Sequence, residues 1–256
     1  MKDIVWVIEP EIFGDDKLLE TTLHKLNVNY VKCKFGKSYE SYFDIHKTMI
    51  FYGSNQLLKT AKLVKKSNNL SNWFLFDEPL VFDCDYYYPK FNDFLLNKDY
   101  QITTCENFFE TVDEKTNVFL KSNSFKIWTG RLFHQSDIRE LKSKFRFYPD
   151  ELIVISSPKE IISEYRLVVF EKKIIAFTRY KPHPVAEVSQ DVLGYAEKCL
   201  SEVDFNPSLI WTLDIAETKE GFHVIEVGPF SCCGLYKCDW KPIIENINNH
   251  IRNDKT

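Results

Sequence analysis

Two apolar segments near the C-terminus each carry a single carboxylate: Asp214 in Ile210-Trp211-Thr212-Leu213-Asp214-Ile215-Ala216, and Glu226 in His223-Val224-Ile225-Glu226-Val227-Gly228. The turn residues Lys219-Glu220-Gly221 make Leu209–Glu217 and His223–Val227 the arms of a hairpin. A carboxylate inside an apolar strand is costly unless it is paired or metal-bound. Two that converge form a site for Mg²⁺, which takes oxygen ligands and keeps substrate phosphates as partners. The plainer alternative is two strand carboxylates held in salt bridges.

An earlier hairpin carries the complementary charge. Its arms are Glu164–Phe170 and Lys173–Tyr180, turning at Glu171-Lys172. Period-two alternation puts Glu164 and Arg166 on one face, and Arg179 and Lys181 end the partner strand. Lys121 closes a strand over Asn117–Lys121, and Lys126 follows in the loop 122–130, which also holds Trp128 and ends at Gly130. Only six of the 33 cations are Arg, so an Arg inside such a pattern is informative. Cations that neutralise phosphates beside acids that hold a metal are what Mg-ATP needs. Taken singly, each of these residues reads as a solvated surface charge.

The rest of the chain supplies a scaffold. Ile4–Ile8, Asn29–Cys33 and Thr48–Tyr52 read as strands, with helices over residues 15–26 and 55–66, so residues 1–75 form a small α/β unit with a parallel sheet. Residues 73–97 are aromatic and irregular, and their run Tyr86-Tyr87-Tyr88 reads as packing rather than a platform for bases. A strand over Glu151–Ser156 and helices over 187–203 and Pro242–Ile251 complete the pattern.

Composition narrows the class. With 256 residues, 44% hydrophobic and 15% aromatic, the chain can fill a sizeable core in one large domain or two small ones. A net charge of −4 argues against extended nucleic-acid binding or an anionic membrane surface. No apolar run approaches the roughly 18 residues of a membrane helix, and no secretory signal opens the chain. The seven Cys show no CxxC spacing and read as reduced thiols of a cytoplasmic protein. A zinc or redox site from Cys232, Cys233 and Cys238 is the alternative. Phosphate-loop, dinucleotide, nucleophile-elbow and HExxH motifs are absent.

Three segments, Val118–Phe133, Ser163–Pro182 and Trp211–Tyr236, together resemble ATP-grasp enzymes, and within them the R2K clade. The resemblance runs from about residue 73 to 240. It implies an α+β ATP-grasp fold, two α+β lobes clamping ATP after a small α/β pre-ATP-grasp domain: residues 1–75 as that domain, 76–116 as connector, and 117–256 as the two lobes. It assigns Lys121 and Lys126 to phosphate, Val154, Ile155, Ser156 and Ser157 to the adenine hinge, and Glu160 to the ribose. Glu164 and Arg166 match the E-x-R strand, with Glu164 facing the nucleotide. Arg166, Arg179 and Lys126 would serve catalysis, and Asp214 and Glu226 would bind metal. Gly228 stands where the family's usual E-x-N ending has Asn, so water or a neighbour such as Ser231 would complete the coordination.

The resemblance further implies an ATP- and Mg²⁺-dependent carboxylate–amine ligase, acting through an acylphosphate on small-molecule or peptide carboxylate and amine substrates. It implies that the loop 122–130 folds over the phosphates. The other readings are a kinase-like transfer to a hydroxyl and a nucleotide-binding module without turnover.

Overall fold

The computed structural model describes residues 3–9, 12–14, 16–77, 80–112, 117–124, 129–145 and 148–253. The N-terminal unit runs β1 (Ile4–Ile8), α1 (Asp16–Lys25), β2 (Asn29–Lys32), β3 (Thr48–Tyr52), α2 (Asn55–Ser67) and β4 (Trp73–Phe74). Its strands pair in parallel in the order β2-β1-β3-β4. Every residue of β1 and β3 is buried, because helices cover both faces of a parallel sheet. Leu19 and Leu23 of α1 pack on one face, and Leu57, Leu58 and Ala61 of α2 on the other. Ser54 starts α2 by accepting a hydrogen bond from the Leu57 amide at 3.2 Å.

The connector residues come next. They include the short helix α3 (Cys84–Tyr87) and the buried aromatics Phe82, Tyr87, Tyr88 and Phe91. Tyr87 and Tyr88 are fully buried and pack in the core, whereas Tyr86 is exposed. Residues 101–111, expected in the connector, instead form β5 (Gln101–Thr104) and α4 (Cys105–Thr111), and β5 is the edge of the middle sheet. The polar QITT segment gives no buried-strand pattern on its own. Its pairing with β8 makes it a strand.

The middle sheet adds β6 (Val118–Ser122), β7 (Arg131–Phe133), α5 (Gln135–Phe145) and β8 (Leu152–Ser156), in the antiparallel order β5-β8-β6-β7. Val118, Leu120 and Ile153 face α4 and α5. By alternation, Phe119 and Lys121 face the opposite side.

The C-terminal sheet contains β9 (Ser163–Phe170), β10 (Lys173–Lys181), β11 (Ile210–Thr218) and β12 (Gly221–Pro229), ordered β10-β9-β11-β12, with α6 (Gln190–Glu202) between β10 and β11 in sequence. Glu171 and Lys172 take positive φ values of 47° and 63° in the first hairpin turn, as a two-residue turn matched to strand twist requires. Tyr165, Leu167 and Val169 pack with α6 and the connector aromatics. The alternate residues of β9 look the other way: Glu164 and Arg166 into the cleft, Val168 and Phe170 into another core.

That other core joins the two ends of the chain. Helix α7 (Trp240–Asn253) spaces Trp240, Ile243, Ile244, Ile247 and Ile251 along one stripe. They pack between β1 and the Val168 end of the C-terminal sheet. A buried hydrogen bond from Trp6 Nε1 to Asn248 Oδ1, 3.1 Å long, ties the N-terminal sheet to this helix.

Candidate active site

A cleft of about 470 Å³ opens between the middle and C-terminal sheets. From the middle sheet side come Phe119, Lys121 and Gly130, and from the C-terminal sheet Glu164, Arg166, Tyr180, Lys181, Thr212, Asp214 and Glu226. Phe13, from the loop after β1, and Tyr236, from the segment after β12, close one end.

The acids occupy this cleft as partners of cations. Asp214 and Glu226 sit directly opposite each other in register on β11 and β12. Facing like charges destabilise a strand pair, and here each has a counter-charge. Arg166 Nε and Nη2 donate to Asp214 Oδ1 and Oδ2 at 2.8 and 2.7 Å. Lys121 Nζ donates to Glu226 Oε1 at 2.8 Å, and Lys181 Nζ to Glu164 Oε1 at 2.7 Å. Three cation–carboxylate pairs therefore line the cleft, two within the C-terminal sheet and one between the sheets. Asp214 is 2% exposed and Arg166 12%, whereas Glu226 retains 32%.

Burial sets the electrostatics. It pushes the Asp214 carboxyl above the ordinary aspartate value, with Glu226 and Glu164 pushing the same way and Arg166 opposing. Burial opposes the Arg166 charge too, but the Asp214 carboxylate outweighs it and holds Arg166 protonated well above its usual range. Lys121 is likewise held protonated above its ordinary value: burial lowers it, and Glu226 more than compensates. Burial also raises the Tyr180 phenol, which keeps it neutral as a donor to Asp214 Oδ2 at 3.2 Å.

Two irregularities in the strands aim these side chains. A register shift between Arg179 and Lys181 leaves Tyr180 as an extra residue, so Arg179 is opposite Tyr165 and Lys181 opposite Glu164. Strict alternation would put Arg179 and Lys181 on one face. The bulge instead brings Tyr180 and Lys181 to the cleft, while Arg179 pairs beside the buried face and does not line it. A second shift, between Asp214 and Ile215, leaves Ile225 extra beside Glu226.

The hinge segment is placed beside the cleft rather than in its lining. Val154 is buried with the connector aromatics, Ile155 packs toward α4 and α5, and Ser156 is buried. The Ser157 amide donates to Asp99 Oδ2 at 2.9 Å. Glu160 pairs with Lys219 at 2.9 Å at a small adjoining depression of about 270 Å³. Lys159 and Ile161 line the main cleft, and alternation had not singled them out. Lys126 and Trp128 lie outside the described residues, so the loop expectation has no structural counterpart here. Ser231 is fully buried and accepts from the Phe76 amide at 2.9 Å, away from the cleft lining. Gly228 does line it.

Phe13, Thr212 and Tyr236 also line the cleft, with no charge in the sequence to mark them. Gly234 leaves room for the first of these: a Cβ there would lie 3.3 Å from Phe13 Cβ. Cys232, Cys233 and Cys238 are buried. Among the described residues no group of three or more His, Cys, Asp or Glu could hold a metal ion. The cleft's donor set is thus carboxylate oxygen on facing strands, which fits a hard cation that draws its remaining ligands from phosphate and water.

D-alanyl-alanine synthetase A from Vibrio cholerae O1 biovar eltor str. N16961 superimposes with a TM-score of 0.62 at 10% identity, covering 98% of this chain and 99% of that one. A RimK domain ATP-grasp protein from Sphaerobacter thermophilus DSM 20745 gives 0.58 at 13% identity, over 89% and 91% of the two chains. The ATP-grasp ligase PsnB, complexed with minimal precursor, Mg and ADP, gives 0.56 at 12% identity, over 98% and 99%. At such identities the likeness is one of fold. No curated protein matches the sequence. Residues 100–246 match the family described as ATP-grasp domain, R2K clade family 2, and with its two-sheet cleft the chain belongs to that family.

Proposed function

We propose that this protein is an ATP- and Mg²⁺-dependent carboxylate–amine ligase working through an acylphosphate. One observation carries the reading: the row of cation–carboxylate pairs Lys121–Glu226, Arg166–Asp214 and Lys181–Glu164 along the cleft. Such pairs can exchange partners, the cations meeting phosphate oxygens and the acids a metal. In the proposed assignment Lys121, Arg166, Lys181 and Lys159 meet the phosphates, and Glu226 and Asp214 are the metal-binding acids. Residues 154–157 and Glu160 remain the proposed adenine and ribose contacts, and Lys126 a proposed phosphate contact. Magnesium, when bound, neutralises charge on the transferring phosphate.

In the first step a substrate carboxylate oxygen bonds to the γ-phosphorus. The bond to the β,γ-bridging oxygen breaks, and ADP leaves with that electron pair. In the second, an amine attacks the acyl carbon, phosphate departs, and the amine loses its proton. No side-chain nucleophile is needed. Arg166 carries five N–H groups, of which three are committed to Asp214 and Gly234. The remaining two can bind the anion that develops. The similar structures include a ligase for D-alanine and PsnB bound to a precursor, which supports amino acids or peptides as substrates. Seven buried cysteines without CxxC spacing fit a reducing, cytoplasmic setting. Among the described residues no helix is long and apolar enough to cross a membrane.

The test is ADP release from purified protein with ATP, Mg²⁺ and paired carboxylates and amines. Transfer of ¹⁸O from a labelled carboxylate to phosphate establishes the acylphosphate. ADP release with hydroxyl acceptors and no ¹⁸O transfer would establish a phosphotransferase instead. A second reading, a nucleotide-binding module without turnover, is favoured by the commitment of both Asp214 oxygens to Arg166. ATP binding with no ADP release over a broad screen would establish it.

A further inference from the structure

Arg166 is gripped by groups of two different origins. Asp214 and Tyr180 belong to its own sheet, whereas Gly234 and Tyr236 follow the single turn Phe230–Cys232 beyond β12. The Gly234 carbonyl accepts from Arg166 Nη1 at 2.6 Å. The guanidinium carbon lies 5.4 Å from the Tyr180 ring centroid and 5.5 Å from that of Tyr236. The two rings stack on each other, 4.9 Å apart and 5° from parallel.

The backbone at Tyr236 is unusual. Its φ is 53°, in the left-handed region that bulky residues rarely enter. The residues around it explain how this is sustained. Leu235 and Cys238 are buried in the core, and the Cys238 amide closes a tight turn onto the Leu235 carbonyl at 2.9 Å. A turn alone would suit Gly or Asn at this position. A tyrosine in its place puts an aromatic ring over the guanidinium, and residues in disfavoured conformations gather where a site requires them.

We infer that the segment Gly234–Tyr236 is a clamp for Arg166, and that Tyr236 is a positioning residue acting through it. Asp214 engages one edge of the guanidinium. The carbonyl and the paired rings fix the rotation of its plane, so that its two uncommitted N–H groups point at an anionic ligand in the cleft. The inference rests on the proposed reading in which Arg166 meets phosphate.

The test measures binding of Mg²⁺ with a non-hydrolysable ATP analogue, which needs no turnover. Tyr236→Asn keeps a residue at ease with positive φ and removes the ring. It is expected to weaken affinity by about tenfold, the scale of a well-desolvated cation–π contact, with no loss of melting temperature. Tyr236→Phe keeps the ring and restores most of the affinity. Tyr236→Leu, which keeps bulk without an aromatic face, is expected to bind as weakly as Tyr236→Asn and serves if that variant folds poorly. Arg166→Lys separates the two failures. If Arg166→Lys binds the analogue like the parent, the phosphate assignment of Arg166 falls and the clamp falls with it. If Arg166→Lys binds weakly while Tyr236→Asn and Tyr236→Leu bind like the parent, the clamp alone is overturned. A Tyr236→Phe protein as weak as Tyr236→Asn would also overturn it, since the hydroxyl and not the ring would then matter.

Discussion

Lys121 and Glu226 meet across the cleft: Nζ of Lys121, on the middle sheet, lies 2.8 Å from Oε1 of Glu226, on the edge strand of the C-terminal sheet. The pair bridges the two sheets that enclose the cleft. Lys121 is also 3.4 Å from the buried Tyr87 hydroxyl, so its position is set from both sides. In the proposed function phosphate and metal take over from this pairing. Lys121→Met is expected to weaken transition-state stabilisation by about 2–4 kcal/mol, the scale of one preorganised donor. The kcat/KM for ATP checks it, and a parental value would remove Lys121 from the machinery.

Asp214 is a structural residue as well as a proposed metal ligand. Both oxygens are engaged by Arg166 in a buried site. Asp214→Asn should therefore destabilise the fold by about 3–5 kcal/mol, because it leaves a buried guanidinium without its counter-charge. The double variant Asp214→Leu with Arg166→Met should recover most of that loss. Urea unfolding of the single and double variants decides the point. Equal stability of Asp214→Asn and the parent would contradict the geometry.

The bulge at Tyr180 separates two cations that look equivalent in sequence. Lys181 lines the cleft and Arg179 does not. Lys181→Ala should weaken nucleotide binding, and Arg179→Leu should leave it near the parental value. Calorimetric titration with an ATP analogue compares them. Equal losses in the two variants would mean that the strand is in regular register in solution.

Asp99 links pH to the hinge. Burial would raise its carboxyl, but hydrogen bonds from Lys159 and then Ser157 overcome this and bring it down to about 2. An unfolded aspartate titrates near 3.9. The depressed value means that the stabilisation is present above about pH 4 and is lost as pH falls toward 2. Asp99→Asn should flatten stability against pH in that window. Unfolding free energies measured at steps through it give the answer, and identical slopes in the two proteins would refute the linkage.

Gly130 is required by a close approach. A Cβ there would lie 2.7 Å from Phe119 Cζ and 3.2 Å from Lys121 Cβ. Gly130→Ala should displace the Phe119 ring into the cleft and lower nucleotide affinity. A titration alongside a thermal melt tests this, and unchanged affinity would show that the ring moves elsewhere.

Much of the architecture was legible in local patterns. The continuous apolar runs of β1 and β3 specified a two-face-covered parallel sheet. Alternation placed Glu164 with Arg166, and two apolar strands with one acid each brought Asp214 opposite Glu226. These patterns are local, because the face a side chain takes follows from its position along its own strand. The tertiary structure decided the rest. It made a polar segment into β5 by pairing it, and it folded α7 back onto β1 through contacts across the whole chain. Above all it chose which charges face the cleft. Arg179 sits opposite Tyr165 and away from the cleft, one extra residue at Tyr180 then brings Lys181 inward, and another at Ile225 sits beside Glu226. A bulge changes the face of every residue beyond it yet leaves no mark in composition or spacing, because it is defined by the partner strand's register. For the same reason the pairing of each acid with a cation, the arrival of Tyr236 beside Arg166 and that of Phe13 in the cleft depend on distances between strands and loops that meet only in the folded protein.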